Sequence, residues 1–435
     1  AYQLADTSLL LYDTLRQSQL QDIGLLSYNG RLSYVEPFGK HHAFEVYAQH
    51  QATINDATKN FFNVDPDAGT AVLDSSLSTD YRSTYSFERG GLTWRWFNQM
   101  MNINTGLAVQ YSVLDGEIFS TNTQIQKTFL NLLPSLSMRM KLAKSQNLRL
   151  NYNTRVGEPT IAQLQPVPDN SNPLNITVGN PDLRAEYAHT ARLNYNYFDQ
   201  FSFLSLFGGV SATYTTNKIS QRTSVDSLLR QVTRPVNVDN DLQLSANAAF
   251  DTPLRKLKIK VGLQGNGTYG RSLVYINDVL NTVNRYTTGG SFRIENKTKT
   301  HFDANVGVRT SYTVTQYPDA ADLNQNYLNS GLFGTVIVYL PKKFTLMTGM
   351  DYSIYSAAGV GTTTAVPLWR AYVSKKIFKN GRGEIRLSGY DLLNKNIGIT
   401  RTAQLNYTQQ ETVTTLSRYF LGSFTYSIVS VGNKR

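Results

Sequence analysis

From Ile23 onward, apolar and polar residues trade places along the chain with a period of two. Leu148, Leu150 and Tyr152 alternate with Arg149, Asn151, Asn153 and Arg155. Leu193, Tyr195 and Tyr197 alternate with Arg192, Asn194 and Asn196. The same parity links Leu204, Leu206, Val210, Ala212 and Tyr214, and later Phe302, Ala304, Val306 and Val308. A period of two puts each set on one side of a pleated strand. Runs of roughly 10–15 residues with this pattern predict about 17 strands after residue 21, and no amphipathic helix. Residues 1–21 alternate poorly, although Ser8–Leu15 carries a weak strand pattern. The reading therefore separates an N-terminal segment, 1–21, from a β domain, 22–435.

The connections alternate too. Short ones are expected at 38–41, 97–101, 143–147, 198–202, 253–256, 297–301, 341–343 and 379–383. Longer ones fall between them, at 56–78, 115–124, 156–185, 217–238, 276–283, 318–325, 357–364 and 394–414. This is what an antiparallel up-and-down sheet gives when all turns of one kind lie at one end. A β-sandwich would need Greek-key connections, and a propeller would repeat a blade motif, which is absent. The pattern predicts an all-β fold: a transmembrane antiparallel up-and-down β-barrel, apolar toward lipid and polar toward its lumen. The 27 Tyr and 20 Phe fit aromatic girdles at the strand ends. No apolar run is long enough for a transmembrane helix. Lipid tolerates no open sheet edge, so the working sheet must close.

Composition refines this picture at two points. The 435 residues include no cysteine, which removes disulfides, thiolate metal sites and cysteine catalysis. The net charge of +11 invites a nucleic-acid partner, but its distribution argues otherwise. Lys40, Lys144, Arg255, Lys256, Lys297, Lys299, Lys342, Lys343, Lys379 and Arg382 sit in the short turns, whereas the long connections hold Asp56, Asp65, Asp67, Asp74, Asp115, Glu117 and Asp278. The excess charge is an effect of one end plus lumen-facing Lys and Arg. No basic helix or RNA-binding signature accompanies it, so no nucleic-acid partner is expected.

Little in the chain points to catalysis, a cofactor or a metal. Gly265-Asn-Gly267-Thr-Tyr-Gly270 matches a dinucleotide fingerprint in letters only, because the chain continues as a strand where a helix is required. Asp65-Pro-Asp67-Ala-Gly69 could offer oxygens to Ca²⁺ but lacks the ligand set of an EF-hand and reads as a solvated turn. The five histidines show no metal spacing, and no nucleophile elbow occurs. The best candidate functional surface is the pair of polar rows, Arg149, Asn151, Asn153 and Arg155 with Arg192, Asn194 and Asn196. They either guide a solute or plug, or hydrate and cross-link the wall.

Between the strands lies a long stretch rich in turn residues, Pro166 to His189, including Pro168, Pro173 and Gly179-Asn180-Pro181. Such chemistry gives a defined loop. It is expected on the long-connection end, as a clamp over the barrel mouth.

Four stretches resemble a known family. Gly179-Asn180-Pro181-Asp182-Leu183 with Glu186 is similar to a motif in the barrels of TonB-dependent receptors, of the outer-membrane type common in Bacteroidetes; Ala185 stands where that family usually has Pro. Gly389-Tyr390-Asp391-Leu392-Leu393-Asn394-Lys395-Asn396 resembles the motif on their penultimate strand, and Arg418–Tyr426 their closing strand. Tyr34-Val35-Glu36-Pro37-Phe38-Gly39-Lys40 resembles one of their turns. Gly179, Asn180, Pro181, Leu183, Glu186, Tyr390, Asp391, Leu392 and Asn394 are expected to be structural. The resemblance implies a 22-stranded barrel, of which this chain carries about 17–18 strands, the first four or five lying upstream of Ala1. It also implies an N-terminal plug domain, energy coupling through TonB, a surface lipoprotein as a further partner, and import of a scarce solute. The tail Val429–Arg435 departs from the family's usual aromatic terminus. Two other readings stand beside import: a structural or export barrel of the same fold, and a soluble carbohydrate-binding β protein.

Overall fold

A computed structural model describes residues 17–428, apart from 65–68, 76, 121, 167, 170–171, 173–174, 226–229, 297–299, 358–362, 379–380, 404–407 and 415. Asp65, Asp67, Pro173 and the tail 429–435 lie outside the described residues, as does Ser8–Leu15. Among the described residues, seventeen long strands form one sheet. They are β1 (Gln17–Phe38), β2 (His42–Val64), β3 (Thr79–Phe97), β4 (Met101–Ile118), β5 (Thr123–Ala143), β6 (Gln146–Gly157), β7 (Glu186–Asp199), β8 (Leu204–Val225) and β9 (Gln231–Leu254). There follow β10 (Ile259–Ile276), β11 (Val279–Asn296), β12 (Phe302–Gln316), β13 (Gln325–Leu340), β14 (Phe344–Ala357), β15 (Thr364–Ile377), β16 (Gly383–Tyr390) and β17 (Tyr419–Tyr426). Each pairs antiparallel with its predecessor, from β1–β2 to β16–β17. The fold is the predicted up-and-down barrel wall.

The register sorts every strand into two faces. Leu150 lies opposite Leu193 and Met138, while Asn151 lies opposite Arg192 and Ser137. The apolar face keeps its large side chains exposed, Leu107 at 50%, Leu132 at 52% and Val210 at 55% among them. A soluble protein would bury such a surface, and here it meets lipid. Tyrosines mark its upper limit. Tyr111, Tyr214, Tyr269 and Tyr312 stand ten residues beyond the starts of their strands (Met101, Leu204, Ile259, Phe302), and Tyr28 and Tyr286 ten before the ends of theirs (Phe38, Asn296). Ten tilted residues rise about 25 Å along the membrane normal, the height of an outer-membrane apolar band. Neighbouring belt members touch, Tyr269 and Tyr286 at 4.9 Å between rings.

Above that belt the structure departs from the sequence reading. Several expected long connections are mostly strand. The 276–283 connection shrinks to the turn Asn277-Asp278, with φ of 48° and 65°, which suits a tight two-residue hairpin. The 115–124 connection reduces to 119–122, and 217–238 is largely the paired ends of β8 and β9. β1 likewise begins at Gln17, within the poorly alternating N-terminal segment. The reason is physical. Once a strand leaves lipid, both faces meet water and the alternation fades, yet the hydrogen-bonded ladder needs no alternation to continue. The Gly265–Gly270 stretch lies inside β10, so it offers no phosphate-binding turn.

The two edges of the sheet matter for closure. β1 descends toward the short-turn end and so does β17, because seventeen strands alternate between them. β17 is exposed at every residue and β1 at all but Gln17.

Candidate functional site

From β5 to β12 the inner face carries continuous polar rows. One row runs Asn151, Arg192, Ser211, Ser245, Thr268, Thr287 and Thr313 across β6 to β12. A second runs Arg139, Arg149, Asn194, Gly209, Asn247 and Asn266 across β5 to β10. The two rows expected from the sequence thus interleave: Arg149 faces Asn194, Asn151 faces Arg192, and Asn153 faces Thr190. Arg155 lies higher, opposite Ala188, and Asn196 lower, opposite Asn147. Asn151 Oδ1 accepts a 3.0 Å hydrogen bond from the Ser137 hydroxyl.

Charge is not evenly balanced on this face. Glu45 on β2 receives both Arg31, at 2.9 Å, and Arg95. Asp251 receives Arg293 at 3.1 Å and Lys260 at 3.3 Å, and Arg293 also meets Glu295 at 2.9 Å. Asp351 receives Arg309 at 2.6 Å, and Glu384 receives Arg386 at 2.7 Å. Arg139, Arg149, Arg155 and Arg192 are exposed and make no ion pair or hydrogen bond with any described residue. Arg139 even stands directly opposite Arg149, an arrangement that is repulsive in itself. Arg139 escaped the sequence reading, although Ser135, Ser137, Arg139 and Lys141 alternate with Leu136, Met138, Met140 and Leu142. Its place beside Arg149 needs the register, which no sequence pattern supplies.

Beside Arg192 the inner face sinks into a hollow of about 550 Å³, lined by Arg192, Ser211, Ser245, Thr268, Ser272 and Arg285 among others. Arg285 donates to the Thr315 hydroxyl at 3.3 Å and has no carboxylate partner among the described residues.

The other expected residues belong to two structural devices. The start and end of the 158–185 connection fold inward. Ile161 and Leu164 of a four-residue helix, together with Leu183, pack on Leu114, Ile118 and Ile125, a fully apolar cluster on the inner face of β4 and β5. The Ile161 methyl lies where a Cβ on Gly116 would be, 2.5 Å away, so that glycine admits the loop. Gly179 is needed for the same reason: a Cβ there would stand 2.2 Å from the Gln165 carbonyl oxygen. Asn180 caps the next turn through Asp182 N–H at 3.1 Å and donates to the Pro235 carbonyl at 3.0 Å. Pro181 starts that turn. Glu186 accepts from Lys218 Nζ at 2.8 Å and from the Ile219 amide at 2.7 Å. Lys59 reaches Asp169 at 2.6 Å, and residues 175–177 run parallel to the tip of β9. The loop is thus stitched to β2 on one side and to β8 and β9 on the other.

The second device closes β16. Its motif was expected on the strand itself, but only Gly389 and Tyr390 are there, and the rest is a turn. Asp391 and Asn394 adopt φ of 47° and 55°, a region where Asn and Asp are favoured. The Asp391 carboxylate accepts from the Lys395 and Asn396 amides at 2.9 and 3.0 Å, and Asn394 Oδ1 accepts from Arg418 N–H at 3.1 Å. Leu392 N–H bonds the Trp369 carbonyl at 2.9 Å. Tyr390 stacks on Tyr419 at 4.7 Å. The motif therefore aligns β16 with β17.

A sheet with a lipid-facing apolar side, a tyrosine belt and a polar inner side is the wall of an outer-membrane β-barrel. The chain belongs to the outer membrane protein beta-barrel family, whose model matches residues 7–426, and its place is the outer membrane. No curated protein matches it. Among solved structures it is similar to the copper transporter OprC, at 9% identity over 92% of this chain and 72% of that one, TM-score 0.48. It is also similar to the siderophore receptor PirA from Pseudomonas aeruginosa, at 11% identity over 96% and 81%, TM-score 0.33. A third is a loop-deletion form of OmpT, an outer membrane protein of Vibrio cholerae, at 10% identity over 94% and 99%, TM-score 0.29.

Proposed function

We propose that this chain is the barrel portion of a TonB-dependent receptor of the Bacteroidetes outer-membrane type. It imports a scarce solute and performs no covalent chemistry. The carrying observation is the inner face: polar rows running from β5 to β12 with free arginines, suited to a water-filled lumen that holds a plug and passes a solute. Strand sense supports the same reading. Because β1 and β17 run the same way, antiparallel closure takes an odd number of further strands, and the five that would bring seventeen to the expected 22 satisfy that condition. In this proposal residues 22–435 are barrel and 1–21 lead into it. A plug domain and TonB are partners, and a surface lipoprotein meets the outer loops.

Growth of a deletion strain on defined nutrients, with and without functional TonB, tests this. The expected result is loss of growth on one nutrient, restored by the gene only when TonB works. Equal restoration without TonB overturns the proposal and favours a barrel with no import role.

A further inference from the structure

We propose that the unpaired arginines and the hollow beside Arg192 form a binding site for an oxyanion-bearing, hydroxyl-rich solute. The inference rests on the receptor reading and names its class of cargo.

Three observations carry it. First, several arginines on this face are held by carboxylates, Arg309 by Asp351 and Arg293 by Asp251 among them. On β5, β6 and β7 the matching acids are missing, so Arg139, Arg149, Arg155 and Arg192 keep their donors free. Second, the placement of Arg139 against Arg149 is unfavourable without a counter-charge. A bound carboxylate or phosphate removes that repulsion, and the guanidinium fork matches its oxygens two at a time. Third, the four form a descending series. Arg155 stands highest, Arg192 at the level of Asn151, and Arg149 with Arg139 two residues lower. Arg192, in the middle of the series, lines a hollow of about 550 Å³, within the size range of small-molecule sites.

The lining of that hollow narrows the class. Arg192 and Arg285 stand on strands four spacings apart, about 19 Å between backbones. The floor between them carries the hydroxyls of Ser211, Ser245, Thr268 and Ser272. Hydroxyls can donate to an oxyanion and also accept from a polyol. The Asp241 carboxylate, 3% exposed, accepts from the Ser272 hydroxyl at the edge of this floor. Acidic sugars and sugar phosphates combine these features.

The test is calorimetric titration of the folded full-length protein in detergent. The probes are a galacturonate trimer, glucose 6-phosphate and, as neutral control, maltotriose. At least one anionic probe is expected to bind about tenfold more tightly than maltotriose. Raising salt from about 0.05 to 0.5 M should weaken it by a similar factor. The double variant Arg192→Gln/Arg285→Gln should lose about tenfold in affinity, and Arg309→Gln, whose arginine is already paired, should keep it. Heat-modifiable gel mobility verifies that each variant folds. Equal affinity for neutral and anionic probes, no anionic binding, or an unchanged double variant overturns the site. TonB-dependent uptake is scored separately. Uptake without anion binding sinks the site and spares the receptor; anion binding without TonB-dependent uptake spares the site and sinks the receptor.

Discussion

Arginine stands on the inner face in two settings. In one it meets a carboxylate, as Arg31 and Arg95 do at Glu45, 8% exposed, and as Arg293 and Arg309 do at Asp251 and Asp351. On β5–β7 it meets none, and one arginine faces another. Residue type and sheet face are alike, so the difference lies in whether an acid stands within reach on a neighbouring strand. The paired sector ties neighbouring strands together. The unpaired arginines hold charge that no described residue of the wall answers, which is what the proposed anion site requires.

The comparison can be broken in several ways. The largest effect concerns the two faces themselves. Leu150→Arg should lower stability by about 2–4 kcal/mol, since it puts a charge into lipid. Asn153→Arg, on the inner face, should stay within about 0.5 kcal/mol. Urea unfolding in lipid vesicles measures both, and equal losses would refute the assignment of faces. Next comes the paired sector. Glu45→Ala should cost about 2 kcal/mol, below the figure for a fully buried pair because Arg31 and Arg95 are 43% and 42% exposed. Asp351→Asn, on a more exposed pair, should cost about 1 kcal/mol or less in the same assay.

The unpaired sector should answer with the opposite sign. Arg149→Ser should cost nothing, or raise stability by a few tenths of a kcal/mol, by relieving its repulsion with Arg139. A loss of the size seen for Glu45→Ala would show that Arg149 serves the wall. The smallest effect lies at a turn outside the membrane. The Ser202 hydroxyl, followed by the Phe201 amide, holds the Asp199 carboxyl below its usual range. A lowered folded pKa stabilises above the ordinary carboxyl value and is lost as pH falls through the folded one. Asp199→Asn should therefore narrow the gap in unfolding midpoint between neutral pH and values below about pH 4.

How far the sequence alone could be read follows the same physics. Where strands cross lipid, one face must be apolar, so Leu148 to Arg155 and Arg192 to Tyr197 declared both their conformation and their orientation. Above the membrane that constraint ends, and the paired tips of β8 and β9 looked like loop. Register was also out of reach. Arg149 and Arg192 could each be placed on the inner face, but not Arg139 opposite Arg149, nor the Arg192–Arg285 hollow, because neighbours across strands are far apart in the chain. The two family motifs were visible as letters. Their purpose needed coordinates: Gly179 gives room to the Gln165 carbonyl, and Asp391 and Asn394 supply left-handed turn positions.

The most direct test uses the absence of native cysteine. Single cysteines would replace Leu148, Arg149, Leu150, Asn151, Tyr152 and Asn153 in turn, and the folded protein in lipid vesicles would meet a small charged thiol reagent that does not cross membranes. Labelling should alternate, with positions 149, 151 and 153 reacting and 148, 150 and 152 protected. Uniform labelling, or the reverse alternation, would contradict the account of a polar lumen lined by free arginines.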